Sequence, residues 1–214
     1  MRLACLIALS IAAAGLASAD VLFTNLGPGD SYNVGSGPVI NEDQWIAAKF
    51  VASASGSLTS IRIPLSNVTA VDANLVIQLR GPGPDPNGTL LESWELPPSE
   101  ITPFPGSSLE TLISTLNPTL VGGTSYWLRA QVTPLGENYL WNLNVTGDLF
   151  SGAVSTNQGA TWVVISPGVT AAPAFEVNAN VNPAAVPEPS SAVLFGTAVA
   201  GVVFTIRRRL KQRI

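Results

Sequence analysis

Apolar and polar residues alternate with a period of two at four places along the chain. Ile61, Ile63 and Leu65 are interleaved with Arg62 and Pro64, and Leu75, Ile77 and Leu79 with Val76 and Gln78. Tyr126, Leu128, Ala130 and Val132 oppose Trp127, Arg129 and Gln131. Phe175, Val177, Ala179 and Val181 oppose Glu176, Asn178, Asn180 and Asn182. Successive side chains of a strand point to opposite faces, so this period predicts half-buried antiparallel strands. Helical spacing is absent from residues 20–186. Turn clusters separate the runs, at Gly27-Pro28-Gly29-Asp30, Gly35-Ser36-Gly37-Pro38, Gly81-Pro82-Gly83-Pro84, Asp85-Pro86-Asn87-Gly88 and Val121-Gly122-Gly123. About eight to ten short strands at this spacing predict an all-β fold, an antiparallel β-sandwich of jelly-roll type.

The two ends follow other rules. Met1 to Ala19 reads as a secretory signal peptide: Arg2 is its positive start, Leu3 to Leu16 its apolar stretch, and Ala17-Ser18-Ala19 its small-x-small cleavage site before Asp20. The single cysteine, Cys5, lies inside it, so the mature chain has no disulfide and depends on burial for stability. Near the other end an apolar stretch, 190–206, precedes Arg207-Arg208-Arg209-Leu210-Lys211-Gln212-Arg213. At about 1.5 Å per residue it makes a helix of about 25 Å, at the short end for a membrane span. Basic residues directly after it keep that end cytoplasmic and the domain outside. The expected organisation is a signal peptide over 1–19, a β-sandwich ectodomain over 20–186 and an anchor segment over 187–214, with the basic tail at 207–214.

The order of parts in that last segment is more specific than any one of them. Val186-Pro187-Glu188-Pro189, a short Gly- and Ala-containing helix around Phe195-Gly196, and Arg207-Arg208-Arg209 together resemble the PEP-CTERM sorting signal. The resemblance implies that an exosortase, an enzyme of the bacterial inner membrane, recognises the signal. The tail would be cut near the triplet, and the ectodomain passed from transient anchorage in the inner membrane to the cell surface or beyond. Some bacteria with this system also make extracellular polysaccharide. The prolines act in the same direction, since they keep the helix from extending outward and leave Glu188 in an extended segment. Within the ectodomain, a Gly-Pro-Gly-Asp-Ser-Tyr loop, Ile46 to Val51, Leu58-Thr59-Ser60-Ile61, Leu79-Arg80, Pro86 to Ser93, Tyr126-Trp127-Leu128 and Ala174-Phe175-Glu176-Val177 follow in an order that resembles the choice-of-anchor R type of surface domain. That likeness implies fold and location and no chemistry.

Composition narrows the function further. With 46% apolar and 11% charged residues the chain is not a disordered polyelectrolyte, and with no histidine it holds neither a Ser-His-Asp triad nor a His-ligated metal. Residues 20–186 carry four cations, Lys49, Arg62, Arg80 and Arg129, against 13 of the 14 carboxylates, a net charge of −9. Nucleic acid is therefore not an expected partner. Glu92, Glu95 and Glu100 do not promise a catalytic pair, because Glu92 and Glu95 would face opposite sides of one strand, and the protein is expected not to be an enzyme. No cofactor is expected unless a calcium ion sits among Asp30, Glu42 and Asp43, aided by Asn41 and by Asp72 or Asp85; plain Asx turns are the competing reading. Among five tryptophans, Trp127 shares a polar strand face with Arg129, and Trp141 could pair with it to stack a sugar ring. Asn67, Asn87 and Asn144 begin N-glycosylation triplets, which mean little in a bacterial protein. The leading expectation is a structural or adhesive surface or matrix protein, and the alternative is a carbohydrate-binding module for extracellular polysaccharide.

Overall fold

The computed structural model describes residues 19–69, 72–132, 138–165 and 170–181. The expected signal peptide up to residue 18 and the whole anchor segment lie outside them. Among the described residues no helix is long and apolar enough to cross a membrane.

Among the described residues thirteen strands run in chain order: β1 (Asp20–Thr24), β2 (Val39–Ile40), β3 (Trp45–Val51), β4 (Gly56–Asn67), β5 (Leu75–Arg80), β6 (Leu90–Leu96), β7 (Ser108–Ile113), β8 (Thr119–Leu120), β9 (Ser125–Val132), β10 (Tyr139–Trp141), β11 (Gly152–Ser155), β12 (Val163–Ile165) and β13 (Glu176–Val181). The one helical element among the described residues is a 3-10 turn, Pro98–Glu100. The sequence predicts eight to ten strands; the excess comes from β2, β8, β10 and β12, which at two or three residues are too short to show an alternation.

All strand pairs are antiparallel and form two sheets. In the first, β1 pairs with β13 and β13 with β4; β7 and β8 lie along the far edge of β4, and β10 followed by β2 continues the line of β13. The second runs β12-β11-β3-β9-β5-β6. Pro64 shows how the long β4 changes neighbours. β13 covers Gly56–Arg62 and β10 covers Leu65–Asn67, so the residue without a backbone N–H stands at the switch, and its carbonyl accepts from the Asn142 N–H at 3.0 Å.

The inward residues of each alternating run meet in one core. Ile61, Ile63, Leu65 and Val177 of the first sheet share it with Leu75, Ile77, Leu79, Leu128 and Ala130 of the second, all fully buried. An aromatic cluster bridges the layers. Phe175 stacks on Phe23 at 4.6 Å between centroids, meets Phe50 of β3 at 5.7 Å and takes the edge of Trp141 at 5.9 Å. Gly37 lets the loop before β2 press on β10, where an added Cβ would lie 1.9 Å from the Trp141 carbonyl oxygen.

Outside the core, Arg62 on β4 bonds Asp30 at 2.6 Å and Glu176 at 3.2 Å, tying the turn after β1 to the sheet. The Arg62 hydrogen bond holds the Asp30 carboxyl below its ordinary value, against an opposing effect of burial and with the help of the Arg62 charge. A lowered folded pKa supplies stability above the unfolded pKa, near 4, that is lost as pH falls through the folded value. Between about pH 6 and about pH 3, Asp30→Asn is therefore expected to lose less stability than the wild type, by at most about 1 kcal/mol for so exposed a pair. Urea melts at the two pH values measure this; equal losses would refute it.

Candidate functional site

Each strand of the second sheet turns alternate residues away from the core, and on the inner strands this outer face is not a plain solvated surface. β9 presents Trp127, Arg129 and Gln131. Register places Lys49 beside Trp127 and Ala47 beside Arg129 on β3, and Arg80 beside Trp127 and Gln78 beside Arg129 on β5. The Gly- and Pro-rich loop 81–89 folds over these residues, and the Trp127 Nε1–H donates to the Gly83 carbonyl at 3.2 Å. Lys49 Nζ lies 5.3 Å from the centre of the same ring. Trp127, Ala47 and Ala153 make a second, small apolar cluster with Trp162 packed against it. From the other side the turn 156–160 lies on Trp45. There Gly159 has φ +79°, and a Cβ would come within 2.6 Å of the ring.

Arg129 is the centre of this arrangement and is 7% exposed. Its Cζ lies 5.3 Å from the Trp45 ring centre and 5.9 Å from that of Trp162. Its Nη2–H donates to Gln78 Oε1, the same oxygen that accepts from Arg80 Nη2 at 2.6 Å and Nε at 3.2 Å. Two guanidinium groups thus share one neutral acceptor. The outermost contact of Arg129, from Nη1 to Asn87 Oδ1, is long at 3.5 Å, and Asn87 Oδ1 also accepts from Trp162 Nε1 at 3.1 Å. Among the described residues neither arginine has an acidic partner, in contrast to Arg62. Burial, and then the Arg80 charge, push Arg129 down to about 10; burial also lowers Arg80. Arg129 Nε, Gln131 Oε1 and Trp45 Nε1 are buried without a partner among the described residues.

The residues expected to form a sugar platform do not come together. Trp127 is covered rather than exposed, because the loop between β5 and β6 closes over it. Trp141 belongs to the other sheet and is fully buried, its Nε1–H donating to the Ala174 carbonyl at 2.8 Å. Of the three, Arg129 alone stands at the centre of an unsatisfied polar group. Gln131 shares the Trp127 and Arg129 face of β9, as its alternation predicts; Trp45, Gln78, Arg80, Asn87 and Trp162 were not expected there, and strand register and loop closure bring them to Arg129, which single-strand alternation does not contain.

Asp30 and Asp43, two of the calcium candidates, take part in other local contacts. Asp30 is engaged by Arg62, and the Asp43 backbone N–H closes an Asx turn onto Asn41 Oδ1 at 3.0 Å. No group of three or more acidic or sulfur ligands forms a metal site among the described residues. Glu92 and Glu95 face opposite sides of β6, the first buried and the second exposed. Glu92 accepts from the Ser114 hydroxyl and from the N–H groups of Thr115 and Leu116, at 2.6 and 3.2 Å. Its oxygens are thereby occupied by the turn after β7.

No curated protein matches the chain. Residues 185–209 match the PEP-CTERM protein-sorting motif, a span that includes Val186, Pro187, Glu188, Pro189 and Arg207 to Arg209. The motif marks an exported protein sorted through an exosortase, a membrane-associated enzyme.

Proposed function

We propose that the chain is a non-enzymatic structural or adhesive protein of the bacterial surface or extracellular matrix. The signal peptide over 1–19 directs export, the apolar stretch over 190–206 holds the chain transiently in the inner membrane, and cutting near Pro187 releases the ectodomain, 20–186. The observation that carries this reading is the sorting motif at 185–209. The fold is compatible with it. Among the long strands, the order β1-β13-β4-β7 in one sheet and β3-β9-β5-β6 in the other is the strand order of a jelly roll, an architecture found in lectins and other surface domains. The resemblance to the choice-of-anchor R type belongs to the same proposal. Fold alone assigns no chemistry, so the role rests on location. The runner-up, a carbohydrate-binding module, draws its support from the outer face of the second sheet and not from an exposed tryptophan.

Intact mass of the protein from cells with and without the exosortase tests the sorting. A product ending near Pro187 only in the wild type is the expected result. A product keeping Arg207 to Ile214 in both strains would make the tail an ordinary anchor and overturn surface release.

A further inference from the structure

Three of the four cations in residues 20–186, Lys49, Arg80 and Arg129, gather on the outer face of one sheet, while 13 carboxylates give that span its negative charge. Self-repulsion alone would favour pairing each cation with an acid, as Arg62 is paired. Here two arginines converge on a single neutral amide oxygen. A buried arginine without an acid is costly, and more than nine in ten buried polar groups in native proteins are satisfied. Arg129 Nε, Gln131 Oε1 and Trp45 Nε1, on adjacent strands of the same face, are not.

We propose that this face is a binding site for a carboxylate-bearing saccharide, with the acid group on Arg129 and Arg80 and the sugar ring against Trp162. The chemistry matches part by part. A carboxylate accepts two charge-assisted hydrogen bonds from a guanidinium fork at distances well below the 3.5 Å at which Asn87 now meets Arg129, so it displaces the amide from Nη1. Asn87, once displaced, and Gln78 supply amide groups for sugar hydroxyls. The half-buried Trp162 ring at the mouth offers a flat face to the apolar side of a pyranose. Asp85, in the covering loop, pairs with none of these cations and would repel a misplaced anion and confine it to the arginines. That the acid is carried by a saccharide rests on the surface or matrix reading above; that an anion is bound rests on the arginines.

The test uses the full-length protein in detergent and isothermal titration with three probes: a uronic-acid tetrasaccharide, the same tetrasaccharide with its carboxyls reduced to alcohols, and a tetraglutamate peptide. The uronate is expected to bind, more weakly as salt rises from about 50 to about 500 mM, and the reduced form to bind at least about tenfold more weakly, one charge-assisted hydrogen bond's worth. Arg80→Gln is expected to weaken uronate binding at least about tenfold with an unchanged melting temperature, because it removes a like charge from beside Arg129. Arg129→Gln should abolish binding; should it fail to fold, Arg80→Gln and Trp162→Leu carry the test. No uronate binding by the folded wild type, equal binding of the reduced sugar, or an Arg80→Gln protein that binds as the wild type does would each show that the arginines serve packing only. Tetraglutamate binding as tight as the uronate would overturn the saccharide. The sorting proposal fails or stands separately, on the mass of the processed product.

Discussion

Glu92→Ala is expected to lower the stability of the folded chain by about 3 kcal/mol, with Glu92→Gln losing about half as much. Glu92 stands on β6, at the edge of the second sheet, and the residue is 2% exposed. The groups it accepts from belong to the turn that follows β7 of the first sheet. Trp94, two residues on, adds a bond from its Nε1–H to the Ile113 carbonyl at 2.8 Å. These contacts fasten one sheet to the other across the connection 97–107. Alanine leaves the buried Ser114 hydroxyl without its acceptor, which costs more than the bond itself contributes. The loss stays near 3 kcal/mol because Thr115 and Leu116 are both exposed, so water reaches their N–H groups once the carboxylate is gone. Glutamine keeps one acceptor oxygen but turns an NH2 group toward donors. Urea unfolding followed by tryptophan fluorescence measures both variants. Values within about 0.5 kcal/mol of wild type for both would show that the clasp is not structural.

The alternating runs made the core readable before any coordinates. Ile61, Ile63, Leu65, Leu75, Ile77, Leu79, Leu128, Ala130 and Val177 all point inward, as their period requires. This works because a strand with one face on a core must keep apolar residues on that face or lose the whole burial term at once. The other face is where the reading from sequence failed. Alternation says that Trp127 and Arg129 point away from the core, and it is silent on what lies above them. The loop 81–89 and the turn 156–160 come from distant parts of the chain, and their arrival turns an apparent sugar platform into a covered site. Trp141 failed for a second reason: a three-residue strand carries too little pattern to fix its facing. The partnership of Arg80 with Arg129 through Gln78 depends on the register of β5 against β9, which composition does not encode. The sorting segment was legible for the opposite reason. Its information is in the local order of residue types, and residues 185–209 can be recognised without any fold.

The tryptophans can be separated by what their removal does. Trp141→Ala is expected to cost about 3 to 5 kcal/mol, the range for emptying a large aromatic site in a close-packed core. Its ring is fully buried beside Phe175, in the cluster that joins β10 and β13 to β3, and its indole N–H satisfies the Ala174 carbonyl at the entry to β13. Alanine creates a cavity and orphans that carbonyl together. Trp141→Phe refills most of the space and loses only the hydrogen bond, so its cost should be about 1 to 2 kcal/mol. Trp162→Leu, at the half-buried mouth of the arginine site, is expected to change stability by less than about 1 kcal/mol while weakening the uronate titration. Denaturant melts of the three variants decide the matter. A Trp141→Ala protein as stable as Trp162→Leu would mean that the bridging aromatic cluster contributes little to holding the layers together. A Trp162→Leu protein destabilised as much as Trp141→Ala would assign both rings to packing. The expected pattern divides them, with Trp141 joining the two layers and Trp162 at the entrance to the arginine pair.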